Sequence, residues 1–306
     1  MRAPLNNAIT LLRSGDPESI GEALSILQGT VFAFSMKVCG HREDAEDTMQ
    51  EVLSRSLPHL SKIEDPRALA AWLYKVTRNR CWRSRRRVAN GPTETLSLDE
   101  LMPDREELLQ LEQRHAPHPE EHALRSEETR LLHKAVLQLP AQYRMVLVLH
   151  DMEELDTDLV ARVLNLQPGT VRVRLHRARL GLRKIMARPL EELPPSRHAP
   201  HSVGTTRRRH RGKNACDPQC RAIFARLSEY LDYRLAPPDD AHMRRHMEAC
   251  PACVTFLADL NAAIDRCRRF EVAECGEVQT RLGALFVEEY LRLTASQDAA
   301  AQPLRA

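Results

Sequence analysis

The sequence has few aromatic residues and few glycines. Aromatic residues make up 4% of the 306 residues, and only 11 residues are glycine. Because β-rich folds need many tight turns, this composition argues against a large sheet. A core of Leu, Val and Ala favours small helical units, so we expect an all-α fold. The length predicts two or three domains.

Long apolar segments are also missing. No apolar stretch follows Met1 as it would in a secretory signal, and runs such as Met145–Leu149 are far too short to span a bilayer. We therefore expect a cytoplasmic protein with no membrane partner. The sequence offers no nucleotide-binding loop, catalytic triad or paired-carboxylate site, which argues against an enzyme.

The chain divides into three helical blocks joined by two linkers. The blocks cover residues 5–88, 126–188 and 215–294. The first linker, 89–125, is acidic and interrupted by proline, and the second, 189–214, ends in a basic run. Net charge is only +3 although 28% of the residues are charged, so the local sign pattern is more informative than the sum.

Block one contains an acidic helix followed by a basic one. The segment "DAEDTMQEVL" (44–53) has apolar residues at helical spacing and an acidic opposite face. The next helix begins at Asp65-Pro66, a cap followed by proline at the first helical position, and ends in many arginines. Trp72, Tyr74 and Trp82 lie among or beside these arginines. Arginine with aromatics suits phosphates and unpaired bases. A solvated acidic face and a basic helix end that complements the helix dipole explain the same patterns.

Block two has the pattern of a helix-turn-helix. Asp156 or Thr157 can cap a short helix that ends at Asn165, a residue type that tolerates left-handed backbone. A strongly basic helix follows from Gly169-Thr170, with Val171, Val173, Leu175, Leu180 and Leu182 as its apolar positions. A short helix, a turn and a basic second helix are typical of proteins that insert the second helix into the major groove.

Blocks one and two resemble the extracytoplasmic-function (group IV) sigma factors of the sigma-70 family. The resemblance is carried by "DAEDTMQEVL" (44–53), "AWLYKVTRN" (71–79) and "LPAQYRMVLVLHDMEELDTDLVARVLNLQPGTVRVRLHRAR" (139–179). It implies that Asp47, Gln50 and Glu51 bind RNA polymerase core. The segment 61–67 with Asn79 would capture unstacked bases of the −10 element of promoter DNA. The implied DNA contacts are Arg78, Asn79, Arg83, Arg85 and Arg86 at the −10 element, and Thr170, Arg172, Arg174 and Arg177 at the −35 element.

The stretch "HMRRHMEACPAC" (242–253) concentrates histidine and cysteine, and six of the eight cysteines lie between 216 and 275. A metalloprotease helix would need glutamate where "HMRRH" has arginine. A redox thiol pair is open to Cys250 and Cys253, although no thioredoxin-like pattern surrounds them. The spacing H-x3-C-x2-C of His246, Cys250 and Cys253 suits zinc, which needs a fourth ligand.

Residues 215–253 resemble the zinc-finger domain of anti-sigma factors. That family has a cysteine ten residues before the tyrosine of a "YLDGEL" turn, and Cys220 precedes Tyr230 by ten residues here. The resemblance implies Cys220 as the fourth ligand of one zinc ion, structural or redox-sensitive, with Cys216 and His242 as substitutes. Tyr233 stands where glycine is usual.

Together these patterns predict a sigma factor that directs RNA polymerase core to promoters and opens the −10 region. The zinc domain would regulate it in cis through intramolecular contacts with the DNA-binding blocks. The alternative is a free-standing helix-turn-helix repressor with a zinc dimerisation or redox-sensing module.

Overall fold

The computed structural model describes residues 3–86, 97, 101, 121–187, 218–272 and 276–301, and its regular elements are all helices. This confirms the predicted all-α fold. The first helices are α1 (Ala3–Arg13), α2 (Pro17–Cys39), α3 (Arg42–Leu60) and α4 (Pro66–Arg86). The middle of the chain forms α5 (Glu121–Gln138), α6 (Ala141–Leu147), a π-helical turn (Val148–Met152), α7 (Thr157–Leu164) and α8 (Pro168–Met186). The last are α9 (Pro218–Leu231), α10 (Pro237–Ala249), α11 (Pro251–Arg268) and α12 (Glu277–Ala301).

Local signals define several helix ends. Asp16 caps α2 by accepting a hydrogen bond from the Ser19 amide at 2.9 Å, and Gly40 ends the helix with a φ of 80°. Asp156 caps α7 through the Leu159 amide, and Asn165 ends it in the left-handed conformation, both as the sequence predicts. Asp65 accepts a hydrogen bond from the Arg67 amide at the start of α4, as expected for a cap before Pro66.

The chain forms two compact units that do not follow chain order. Unit 1 contains residues 1–90, 148–167 and 271–306, and unit 2 contains 91–147 and 168–270. The predicted block 215–294 therefore contributes α9–α11 to unit 2 and α12 to unit 1. Linker 189–214 lies outside the described residues, as does most of linker 89–125.

In unit 1, α2 is the central helix. It packs against α1, α3 and α4, and α12 lies on both α2 and α3. The π-helical turn contacts α2, and α7 packs on α4. The core is mostly aliphatic, and its large aromatic side chains include Phe32, Phe34, Tyr74, Phe286 and Tyr290.

In unit 2, α8 is the common partner. It packs against α5 and α6 on the one hand and against α9 and α11 on the other. Leu180 of α8 belongs to the same apolar cluster as Phe224, Phe256 and Cys220. The last part of α8 therefore shares its core with the cysteine-containing helices.

Among the described helices, none is by itself long and apolar enough to cross a membrane. The consecutive helices α10 and α11 meet the length and composition criteria only as a pair, and they are bent by 111° at their junction.

Candidate metal centre and nucleic-acid interface

Three helices of unit 2 bring four potential metal ligands together. Cys220 lies in the first turn of α9, His246 in the last turn of α10, and Cys250 and Cys253 flank the start of α11. All four ligand atoms lie within 4.8 Å of one another. Pro251 begins α11 and forces the chain to turn after Cys250, so that both cysteines face the end of α10.

The separations match a tetrahedral zinc site. Zn–S bonds of about 2.3 Å and Zn–N bonds of about 2.0 Å imply ligand separations of about 3.8 Å for S···S and about 3.5 Å for S···N. The Cys220 and Cys250 Sγ atoms are 3.8 Å apart, and the His246 Nε2 atom lies 3.6 Å from Cys220 Sγ and 3.2 Å from Cys253 Sγ. The residues therefore fit a zinc ion in both ligand type and spacing.

Without a bound cation, the surroundings of the cluster favour the thiolate form of Cys250 and disfavour that of Cys253. Burial and the neighbouring thiols of Cys250 and Cys220 raise the pKa of Cys253. Burial also acts to raise the pKa of Cys250, but hydrogen bonds involving Cys253, Cys220 and Ala252 outweigh it and lower that pKa. Three thiolates so close together repel one another, and a bound cation would remove that repulsion.

Of the two substitute ligands considered from the sequence, His242 is not in the cluster. His242 lies one turn before His246 on α10 and is exposed. Cys216 falls outside the described residues, as does Cys275. Cys267 is fully buried near the end of α11.

The C-terminal half of α8 is covered by the cysteine-containing helices. The guanidinium of Arg179 donates two hydrogen bonds to the Asp232 carboxylate, at 3.1 and 2.9 Å. Arg183 donates to Asp259 at 2.8 Å and lies 4.3 Å above the Phe256 ring. Both arginine side chains are almost completely buried, although the sequence pattern placed them on the polar face of a DNA-binding helix.

His176 lies in the same contact. Its Nδ1 atom is 2.9 Å from the Ser228 hydroxyl of α9, and its Nε2 atom is buried with no hydrogen-bond partner among the described residues. Burial, with the nearby charges of Arg179 and Arg177, lowers the pKa of His176 to about 4. The imidazole is therefore neutral at pH 7.

The N-terminal half of α8 remains accessible within unit 2. Thr170 and Arg172 are exposed, and Arg174 and Arg177 are partly exposed. Val173, one of the apolar positions of this helix, is 53% exposed and therefore lies outside the buried stripe of α8.

In unit 1, Asn79 and the arginines implied at the −10 element lie on α4, and most of the segment 61–67 directly precedes that helix. Asn79 is exposed and accepts hydrogen bonds from Arg78, whose Nη1 also donates to the Val163 carbonyl at 2.9 Å. Partial burial lowers the pKa of Arg78, which still leaves it charged. Arg83, Arg85 and Arg86 fall in the helical end of α4, where the structure describes the backbone alone.

The implied polymerase contacts lie on α3. Asp47 and Gln50 are exposed, whereas Glu51 is partly buried and forms ion pairs with Arg55 and Arg80. Glu51, Arg80 and Asn79 also line a surface pocket of about 190 Å³ between α3 and α4. The acidic face predicted from the sequence is therefore partly an exposed surface and partly a charge network within unit 1.

Three family models match the chain. The model "Sigma-70 region 2" matches residues 25–90, "Sigma-70, region 4" matches 129–182, and "Putative zinc-finger" matches 220–253. The last range begins at Cys220 and ends at Cys253, the first and last residues of the ligand cluster. Below, region 2 and region 4 denote the first two ranges, and the zinc module denotes α9–α11.

Individual relatives show the same relationship. The chain is 27% identical to the ECF RNA polymerase sigma factor SigW of Bacillus subtilis over 187 residues, which cover 60% of this chain and 97% of SigW. It is 34% identical to the RNA polymerase sigma-E factor of Streptomyces coelicolor over 152 residues, 48% of this chain and 75% of that protein.

A solved structure, the sigma factor RpoE in complex with the anti-sigma factor NepR from Bartonella quintana, matches 53% of this chain and 92% of its own. Its identity is 21% and its TM-score 0.38, too low to support anything further about this chain. The family models and the relatives establish that the chain belongs to the sigma-70 family, as an extracytoplasmic-function sigma factor that directs RNA polymerase to promoters and has a C-terminal zinc-finger-family domain.

Proposed function

We propose that this sigma factor recognises the −35 element with the N-terminal half of α8 and the −10 element with α4, and that the zinc module regulates it in cis. The base contacts would come from the accessible side of α8, namely Thr170, Arg172, Arg174 and Arg177. In helix-turn-helix proteins the N-terminal residues of the second helix reach the base edges. Each bidentate arginine contact to guanine contributes about 1–3 kcal/mol of discrimination.

In region 2, the exposed Asp47 and Gln50 are our candidates for binding RNA polymerase core, together with Glu51. Asn79 with the segment 61–67 would hold unstacked bases of the −10 element. Arg78, with Arg83, Arg85 and Arg86 farther along α4, would bind the backbone phosphates. Extruding bases costs a few kcal/mol, which these contacts would offset.

The zinc module would hold one zinc ion through Cys220, His246, Cys250 and Cys253. The ion would supply folding free energy to a small helical unit, because its ligands come from three short helices with a limited apolar core. The cluster also forms part of the apolar core that contains Leu180 of α8. A folded zinc module would therefore hold the C-terminal half of α8.

The observation that carries the regulatory proposal is the pairing of α8 arginines with acidic residues of the zinc module. Bidentate pairing with a carboxylate uses the same guanidinium geometry as pairing with a phosphate. Asp232 and Asp259 thus pair with two cationic side chains of the DNA-binding helix. Their negative charges would repel DNA phosphates that approach this part of α8. The second linker, residues 189–214, is long enough to let the zinc module fold back onto region 4.

The test is run-off transcription with purified core polymerase on genomic DNA from the organism that encodes the protein. D232N weakens the Arg179 contact, and D240N makes the same charge change at a residue of α10 that pairs with the exposed Arg244. A hydrogen bond to a charged group contributes about 1.5–3 kcal/mol, so we expect D232N to raise promoter-specific transcription roughly tenfold at limiting protein.

Equal transcription from D232N, D240N and the unchanged protein would rule out regulation through this contact. Failure of every variant to produce promoter-specific transcripts with core polymerase would instead contradict the promoter contacts assigned to α4 and α8.

A further inference from the structure

We propose that Val173 reads a thymine of the −35 element through apolar contact with its 5-methyl group. The inference deepens the proposed function, because it rests on the −35 contacts assigned to α8. The contacts assigned there so far are polar or charged, and Val173 adds an apolar one. The place of Val173 on the helix and the charges around it carry the inference.

Val173 lies on the side of α8 that faces away from the core of unit 2. Its side chain is 53% exposed. The buried stripe of the same helix consists of Val171, Leu175, Ala178 and Leu182, each at most 1% exposed. Because successive residues of an α-helix are rotated by about 100°, this stripe and Val173 lie on opposite sides of the helix. Val173 therefore contributes little to the folded core.

The candidates for base contact surround Val173 on the accessible face. Residues three and four apart share a face of a helix, and Thr170 lies three residues before Val173 and Arg177 four residues after it. Thr170 is exposed and Arg177 partly exposed. His176 shares this face but is buried against Ser228 of α9. The accessible face therefore lies in the N-terminal half of α8, the part of such a helix that reaches base edges.

The charges around Val173 favour DNA over a protein as its partner. Within the described part of the chain, no carboxylate pairs with Arg172, Arg174 or Arg177. The two arginines in the C-terminal half of α8 are both paired. An apolar side chain within an unneutralised cationic surface is suited to duplex DNA, which presents phosphates and base edges together. An apolar protein surface would leave these charges desolvated and unpaired.

The chemistry of the major groove identifies thymine as the base. In unmodified DNA only thymine presents a methyl group there, and the other groups are hydrogen-bond donors and acceptors, with which valine cannot pair. At a cytosine the amino group would lose hydrogen bonds to water against an apolar side chain. Valine in a helix is held largely in one χ1 rotamer, so its methyl groups have a fixed position relative to the neighbouring arginines. Val173 is thus suited to select thymine at one base pair.

The experiment compares V173A with V254A in the full-length protein bound to core RNA polymerase. Val254 of α11 is 46% exposed, so both substitutions shorten an exposed helical valine in the same way. Each holoenzyme selects sites from synthetic duplex DNA that has a randomised central stretch, and the bound DNA is sequenced. The selected thymine is then replaced by deoxyuridine, which lacks only the methyl group, and binding is measured by fluorescence anisotropy.

We expect the unchanged protein and V254A to select thymine at one position of the −35 element, and V173A to show no such preference there. Burial of one methyl group favours binding about fourfold. Deoxyuridine should therefore weaken binding about fourfold for the unchanged protein and for V254A, and leave binding by V173A unchanged. V173T keeps a methyl group in a side chain of the same shape, so it should keep the preference for thymine.

Equal thymine preferences in V173A and V254A would overturn the proposal. So would a loss of affinity in V173A that is the same for all sequences and for deoxyuridine, because Val173 would then contact the polymerase rather than a base. Failure of the unchanged protein to select any −35 sequence would contradict the proposed function of α8 itself. The failure of the inference and that of the proposed function can therefore be told apart.

Discussion

Tyr233 adopts a backbone conformation that usually requires glycine. Its φ is 54°, and it lies just after α9, where its amide donates to the Tyr230 carbonyl and the next amide to the Glu229 carbonyl. The side chain is 96% exposed and contributes little packing. Glycine is usual at this position of the family because the helix ends in the left-handed conformation. This chain keeps that conformation with tyrosine, which strains the backbone.

Y233G should therefore stabilise unit 2. Relief of the left-handed conformation contributes about 1–2 kcal/mol, and the greater freedom of glycine in the unfolded chain offsets about half of it. We expect the free energy of unfolding to rise by about 0.5–1 kcal/mol in urea titrations followed by circular dichroism. A decrease would show that the exposed ring has a stabilising contact of its own.

His176 makes the contact between α8 and the zinc module dependent on pH. Its folded-state pKa of about 4 lies below the usual 6.5, so between these values the unfolded chain binds a proton that the folded protein excludes. The free energy of unfolding must then fall as pH decreases from about 6.5 to about 4, by up to about 3 kcal/mol at about 1.36 kcal/mol per pH unit.

H176Q should remove this part of the pH dependence. Glutamine does not titrate, and all other titratable groups are common to both proteins, so the difference between the two unfolding profiles isolates His176. We expect the unchanged protein to lose more stability than H176Q over that pH range. Parallel profiles would contradict a buried neutral imidazole at position 176.

At the scale of elements, α12 stabilises unit 1 mainly through two aromatic residues. Phe286 and Tyr290 lie one turn apart and are buried, whereas the adjacent Leu285 is 57% exposed. Val287 lies 3.6 Å from the position that a Cβ atom would occupy at Gly21 of α2. That distance is an ordinary van der Waals contact, so α12 lies close to α2 at this point.

F286A should destabilise unit 1 much more than L285A does. Truncating a buried phenylalanine typically costs about 3–5 kcal/mol, whereas an exposed leucine costs little. Thermal unfolding and amide exchange of α2 and α3 provide the measurement. Similar losses from both variants would mean that α12 is not firmly packed on these helices.

Several helix boundaries follow directly from the local sequence. Asp16, Asp65, Asp156 and Asn165 all define boundaries that follow from local capping chemistry. The partners of Arg179 and Arg183 could not be predicted in the same way, because an arginine on a helix is equally suited to a phosphate and to a carboxylate. Only the folded chain brings Asp232 and Asp259, which are 53 and 76 residues away, to these side chains.

At the scale of the whole molecule, the candidate zinc site and the DNA-binding helix share one stabilising core. Chelation of the metal should therefore unfold α9–α11 and increase amide exchange in the C-terminal half of α8, while the helices of unit 1 keep their protection.

C250S should lose the zinc, measured as metal per chain by atomic emission. C267S is the matched control, since it changes a buried cysteine outside the cluster and should keep one zinc.

The candidate zinc ligands and the two units differ in how far the sequence determines them. His246, Cys250 and Cys253 are close in sequence, and a family spacing added Cys220, which lies beside them in the structure. The assembly of unit 1 from three separated segments left no comparable signal. Because 28% of the residues are charged, the sequence does not single out Lys37 and Glu153 as partners. Their pairing depends on tertiary packing.

The interleaved units have a consequence for synthesis. Regions 2 and 4 leave the ribosome before α9–α12 exist, and the chain grows by about 5–20 residues per second. For several seconds each new molecule has both helices that we propose to read the promoter, but neither the acidic residues that cover α8 nor the helix that lies on α2 and α3. Lys37 and Glu153 are already made at that stage, so their buried ion pair can form before α9–α12 appear.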